Sequence, residues 1–132
     1  MNRPIQILLV EDNPADADLL RDTLEGRKLQ TELSVVTNGE DAISFLKGQN
    51  NYKDVNRPDL ILLDLIIPRK DGKEVLKEIK TDEGLRDVPV VILTSSSAES
   101  DVAQCYGLGA DGYVMKPVDF KVLSSFVKSA SC

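Results

Sequence analysis

Leu60-Ile61-Leu62-Leu63-Asp64 is the stretch that decides the fold. Four consecutive large apolar residues read as a short strand covered on both faces, as the central strands of parallel sheets are. A carboxylate follows directly, and burying one without a partner is costly, so Asp64 needs a reason to be there. In open α/β sheets the chemistry gathers just beyond the carboxyl ends of the strands, which is where this spacing places it.

Working outward from that strand, apolar runs and helical stripes alternate along the chain. Ile5 to Val10 reads as a first strand ending in Glu11-Asp12-Asn13-Pro14, with Asp12 or Asn13 as helix cap and Pro14 at a first helical position. Ala15, Leu19, Leu20 and Leu24 form the stripe of a first helix that Gly26 closes. Leu33, Val35 and Val36 suggest a second strand, Asn38-Gly39 a turn, and Ala42, Ile43 and Leu46 a second helix. Residues 48–58 are polar and punctuated by Gly, Asn and Pro, a surface loop before the central strand. Beyond Asp64, Pro68 and Gly72 bracket a tight connection to a third helix carrying Val75, Leu76 and Ile79 and ending near Gly84. Val88 to Leu93 is a fourth strand ending at Thr94, and Thr94 to Ser97 offers several helix caps. Val102, Ala103 and Tyr106 stripe a fourth helix, Gly112 to Met115 is a fifth strand, and Val122, Leu123, Phe126 and Val127 stripe the last helix. Five strands alternating with five helices imply an α/β doubly wound parallel sheet with helices on both faces.

Composition limits the functions open to such a fold. The 132 residues suit one domain, and the chain stops about one helix after the fifth strand, so residues 1–132 are read as a single unit with no output domain. Twenty-two acidic residues against 16 basic ones give a net charge of -6, which argues against nucleic acid and anionic membrane as partners. There is no histidine, so histidine catalysis and histidine metal ligation are excluded. No apolar span is long enough for a signal peptide or membrane helix, and the reading is cytoplasmic. Cys105 and Cys132 match no paired spacing and are expected as reduced bystanders.

Polar groups fall at the carboxyl ends of four different strands: Glu11 and Asp12, Asp64, Thr94 and Lys116. Each has a plain reading alone: a helix-dipole partner, a capping hydroxyl, a solvated lysine. Their convergence from distant parts of the chain is the signal. Three carboxylates close together repel unless a cation joins them, and an oxygen-only ligand set with room for water and phosphate suits Mg2+. Carboxylates at about -3, Mg2+ at +2 and Lys116 at +1 come near neutrality. An aspartate attacking phosphorus needs in-line access and charge neutralisation more than a general base, so the missing histidine is no handicap.

With those motifs in view, the chain resembles a receiver domain of two-component response regulators over essentially its whole length. The matching segments are Val10-Glu11-Asp12-Asn13, Leu63-Asp64 with Pro68 and Asp71-Gly72, Thr94-Ser95, and Tyr113-Val114-Met115-Lys116-Pro117. The resemblance implies a flavodoxin-like sheet of order 2-1-3-4-5. It implies that Asp64 accepts phosphate from a sensor histidine kinase, and that Asp12, Asp64 and the Ile66 backbone carbonyl bind Mg2+ with Glu11 acting partly through water. It also implies that Thr94 and Lys116 pair with the phosphoryl group, that Tyr113 reports the switch through its rotamer, and that the Lys116-Pro117 bond is cis. For Tyr113 a plain packing role is the rival. Ile66, two positions after Asp64, cannot position a hydrolytic water, so slow self-dephosphorylation is expected of a stoichiometric phosphoacceptor rather than a turnover enzyme.

The run Asn51-Tyr52-Lys53 to Arg57-Pro58-Asp59, with Ile92 to Ser96, resembles more narrowly the single-domain regulators that partner phytochrome-type histidine kinases. Members of the wider family often form homodimers through helix 4, strand 5 and helix 5, and engage the kinase beside helix 1. An aspartyl-phosphate phosphatase of the haloacid dehalogenase type would need aspartate where Ile66 stands. A dinucleotide binder would need a glycine-rich first turn in place of Glu11-Asp12-Asn13-Pro14. A pseudo-receiver serving only as a protein-interaction module is the alternative that keeps the fold, and it is usually betrayed by a missing site residue.

Overall fold

The structure, a computed structural model, describes residues 4–25, 30–49, 57–95, 98–116 and 118–130. Strands and helices alternate throughout: β1 (Ile5–Val10), α1 (Pro14–Leu24), β2 (Thr31–Val36), α2 (Gly39–Leu46), β3 (Leu60–Leu63), α3 (Gly72–Thr81), β4 (Val90–Thr94), α4 (Glu99–Gly107), β5 (Gly112–Met115) and α5 (Phe120–Ala130). All pairings are parallel and the sheet order is β2-β1-β3-β4-β5, as the resemblance implies.

Because side chains alternate across a strand, the strands split their apolar residues between two layers. Leu8, Val10, Ile61, Leu63, Val90 and Ile92 pack with α2, α3 and α4 through residues such as Ala42, Val75, Leu76, Ile79 and Cys105. Ile7, Leu9, Leu60, Leu62, Val91 and Leu93 pack with α1 and α5 through Ala17, Leu20, Leu24, Leu123 and Val127. All four residues of β3 are fully buried, which is why that strand shows no alternation in the sequence. Burying four such side chains stabilises the fold by roughly 6–12 kcal/mol before conformational entropy is counted.

Several helix details differ from the sequence reading. Asn38 does not form a turn with Gly39: it caps α2, its side chain accepting from the Asp41 N–H at 2.8 Å. Ala15 and Leu19 of α1 face outward, Leu19 with 55% exposure, and the buried stripe is Ala17, Leu20 and Leu24. In α4 Cys105 is the buried residue, whereas Ala103 and Tyr106 are exposed and Val102 is half-buried; Val122 of α5 is likewise exposed. An amphipathic stripe drawn from hydrophobicity alone can be misplaced by about one position, and here small or sulfur side chains take the close approach to the sheet. The α4 cap is Ala98, with no side-chain hydrogen bond, so Thr94 and Ser95 do not serve as its caps. β4 begins at Val90, after Pro89, whose carbonyl accepts from Ile61 N–H. The expectations for Gly26, residues 50–56, Ser96, Ser97, Pro117 with its cis bond, and Cys132 lie outside the described residues.

The connection from β3 to α3 is shaped by two close approaches. A Cβ on Gly72 would lie 2.6 Å from the Asp64 carbonyl oxygen and from Leu65 Cα, and one on Gly39 would lie 2.3 Å from the Lys70 carbonyl oxygen. Between them Arg69 adopts φ 69°, while Lys70 N–H donates to the Pro68 carbonyl at 2.8 Å. This tight turn closes the loop beside Asp64.

Candidate functional site

Backbone pairing brings the strand ends to one rim. Glu11 N–H donates to the Val36 carbonyl at 2.9 Å, Asp64 N–H to Val10 at 3.1 Å, and Lys116 N–H to Thr94 at 2.9 Å. The residues just after β1, β3 and β5 therefore stand in step along the carboxyl edge. Thr94, ending β4, is fully buried.

One cation organises the carboxylates there. Lys116 Nζ donates to Glu11 Oε1, to Asp64 Oδ2 at 2.7 Å and to Asp16 Oδ2 at 3.0 Å. The side chains of Glu11 and Asp64 are 3% and 9% exposed, so the ammonium answers buried charge. Burial opposes the charge of Lys116, but its hydrogen bonds to Asp64, Glu11 and Asp16 outweigh that and hold its pKa above the ordinary lysine value. Burial pushes the Glu11 carboxyl up, with the charge of Asp64 adding to the effect and the Lys116 hydrogen bond opposing it. The remaining Asp64 oxygen, Oδ1, accepts from Ile66 N–H at 3.0 Å, which fixes the carboxylate plane against the loop. The Ile66 side chain itself is 70% exposed.

Glu11, Asp12 and Asp64 each offer a carboxylate oxygen, and these atoms lie within 4.8 Å of one another. Asp12 is exposed and the other two are buried, so the trio opens to solvent on one side. An all-oxygen set of this kind fits a hard divalent cation that keeps some of its water. Tyr113, on β5, is half-buried and packs against the layer formed with α2, α3 and α4. A cleft of about 370 Å³ adjoins the rim, lined by Glu11, Asp16, Leu19, Leu20, Lys116 and Val118 among others.

The structure therefore brings Glu11, Asp12, Asp64 and Lys116 together at one rim, with Thr94 at the adjacent strand end. It adds Asp16, which the sequence reading does not single out. The available signal is position: Asp16 lies in the first turn of α1, the end of the helix nearest the strand rim.

The chain is similar to proteins of one family. The family model of the response regulator receiver domain matches residues 7–128. Response regulator Rcp1 of Synechocystis sp. is 43% identical over 127 residues, covering 96% of this chain and 86% of the relative. Among solved structures, the phosphorylated cyanobacterial phytochrome response regulator RcpA is 40% identical with a TM-score of 0.84, over 96% of this chain and 91% of that one. The Mn(2+)-bound form of Rcp1 gives 43% identity and a TM-score of 0.83 over the same shares. Among the described residues no helix is long and apolar enough to cross a membrane.

Proposed function

The chain belongs to the response regulator receiver family, and from that premise we propose that it accepts a phosphoryl group from a sensor histidine kinase onto Asp64, with Mg2+ as the cation. The observation that carries this reading is the meeting of Asp64 with Glu11, Asp12 and Lys116 at one rim, from strands separated by as many as 105 residues in the chain.

The roles derive from what each group touches. Asp64 is held rigidly at the end of a fully buried strand, with Ile66 N–H on Oδ1 and Lys116 on Oδ2. One of its oxygens attacks phosphorus, and the bond from phosphorus to the kinase imidazole nitrogen breaks as the new one forms. Magnesium, when bound by Asp12, Asp64, the Ile66 carbonyl and in part Glu11, would neutralise the carboxylates and the phosphoryl oxygens. Lys116 supplies a second positive charge, and Thr94 at the adjacent strand end supplies a hydroxyl for the phosphoryl oxygen. Tyr113, half-buried beside that strand, passes the change to the α4-β5-α5 face. Ile66 offers no polar side-chain atom to orient water, which favours slow hydrolysis of the acyl phosphate.

Two similar proteins of known structure support a phytochrome-type kinase as the partner: one is a cyanobacterial phytochrome response regulator and the other a bacteriophytochrome response regulator. Large exposed apolar residues on α4, β5 and α5, namely Tyr106, Met115 and Val122, support a homodimer through that face. The class is tested by incubating wild type and Asp64→Asn with a small phosphodonor and magnesium and measuring intact mass. A single phosphoryl adduct on wild type alone is expected; no adduct, or the same adduct on both, refutes the reading. The adduct should persist for minutes or longer without a phosphatase, and decay within seconds would remove the role given to Ile66.

A further inference from the structure

Resting on the phosphoacceptor reading, we propose that Asp16 is a positioning residue for Lys116: it holds the ammonium in place once a divalent cation claims the other carboxylates. Lys116 has three ammonium protons and three carboxylate partners, Glu11, Asp64 and Asp16. Two of the three also belong to the metal-binding trio, and Asp16 does not. A dication competes for the lone pairs of Glu11 and Asp64 and repels the ammonium. Among the described residues, Asp16 is then the one partner of Lys116 with no second claimant.

The start of α1 is built so that Asp16 is available for this. A glutamate or glutamine at the third helical position commonly folds back to accept from the N-cap N–H. Here the N-cap Asn13 donates its N–H to Glu11 Oε2 at 3.2 Å instead, while its own side chain accepts from Ala15 and Asp16 N–H. Relieved of that duty, the Asp16 carboxylate reaches across 100 residues of sequence to Lys116. A dipole partner alone would need no such contact. The Asp16 side chain is 40% exposed and that of Lys116 is 19%, so the pair forms the solvent rim of the site and borders the cleft against α1.

Charge and positioning make opposite predictions. Removing a negative charge from the rim would by itself attract an anionic phosphodonor and speed the reaction. Removing the support of Lys116 slows it, typically by tenfold or more for residues that orient others, and by about tenfold here given the exposure. Two readouts apply to the whole chain in saturating magnesium. Proton exchange from the Lys116 ammonium, followed by nitrogen-15 NMR and assigned by its loss in Lys116→Met, should rise about tenfold in Asp16→Ala and less in Asp16→Asn, whose amide oxygen still accepts. Without metal the rise should be smaller, because Glu11 and Asp64 still hold the ammonium. Phosphorylation by acetyl phosphate should lose about tenfold in maximal rate in Asp16→Ala, with no rise in KM, and Asp16→Ala should add nothing in a Lys116→Met background. Unchanged proton exchange, a faster Asp16→Ala, or additive losses in the double variant would each overturn the proposal. If wild type takes no phosphate at all, the phosphoacceptor reading falls, and the exchange measurement still decides the role of Asp16.

Discussion

Lys116→Met should make the stability of the fold depend on divalent metal far more than it does in the wild type. The substitution keeps most of the aliphatic stem and removes the only cation bonded to Glu11 and Asp64 among the described residues, where those two side chains are 3% and 9% exposed. Removing one partner of a buried ion pair costs about 3–5 kcal/mol. Lys116 is itself 19% exposed and two of the nearby carboxylates reach solvent, so the lower end, about 3 kcal/mol, applies. In a domain of this length that corresponds to a fall of roughly 10 °C in the unfolding midpoint. Metal should reverse much of it. An ammonium about 4 Å from a dication is repelled by roughly 2 kcal/mol even at the dielectric of water, so the variant should bind the cation at least tenfold more tightly. Saturating magnesium should therefore narrow the gap between variant and wild type from about 3 to about 1 kcal/mol. Urea unfolding followed by far-UV circular dichroism, in chelator and in excess magnesium chloride, measures both gaps. A gap in chelator below about 1 kcal/mol, or one that magnesium leaves unchanged, would refute the role of Lys116 as counter-charge to the buried carboxylates.

Other substitutions test other links. Leu62→Ala, at a fully buried position of β3, should cost about 3–4 kcal/mol in urea unfolding, and a loss under about 1.5 would mean the site collapses around the cavity. At Arg69, φ 69° predicts the stability order Gly, then Arg, then Val: about 0.5 kcal/mol gained with Gly and more than about 1 lost with Val, read from thermal midpoints. The Lys70 hydrogen bond holds the Glu78 carboxyl below its ordinary pKa of 4.5, with Lys47 adding to it. That stabilisation is present above the unfolded value and is lost as the pH falls through the lower folded one, so Glu78→Gln should be less stable than wild type at pH 7, with the deficit shrinking as the pH is lowered through the carboxylate range. A deficit that stays constant as the pH falls would show that the contact is not ionic.

How much of the molecule is legible in the chain alone depends on the kind of force involved. The strand core is legible because burial on both faces leaves an unmistakable apolar run, as in Leu60 to Leu63 and Val90 to Leu93. Strand order came from resemblance, since periodicity alone does not say which strands are neighbours. Helix faces are less legible: Leu19 and Tyr106 are hydrophobic yet exposed, and Cys105 is buried at a position where the sequence offers little hydrophobic signal. Exposure of single apolar residues is normal on a protein surface, so hydrophobicity fixes a helix's existence better than its rotation. Asn38 shows the same limit for caps: Asn-Gly serves both hairpin turns and helix starts, and only tertiary packing decides between them.

The site is legible to the extent that it is built from strand ends. Glu11, Asp12, Asp64, Thr94 and Lys116 sit at chain positions where a strand stops, and a parallel sheet brings such positions together by construction. Asp16 sits inside a helix, where a carboxylate in the first turn is ordinary, and only the distance to Lys116 separates it from Asp18 or Asp22. Its inclusion changes the electrostatics. With Asp16 counted, four carboxylates face one lysine, and a bound dication leaves the cluster near -1 rather than neutral. That residual charge disfavours an anionic phosphodonor in solution, so for Asp16 to speed phosphorylation its hold on Lys116 must outweigh the repulsion, which a slower Asp16→Ala variant would show.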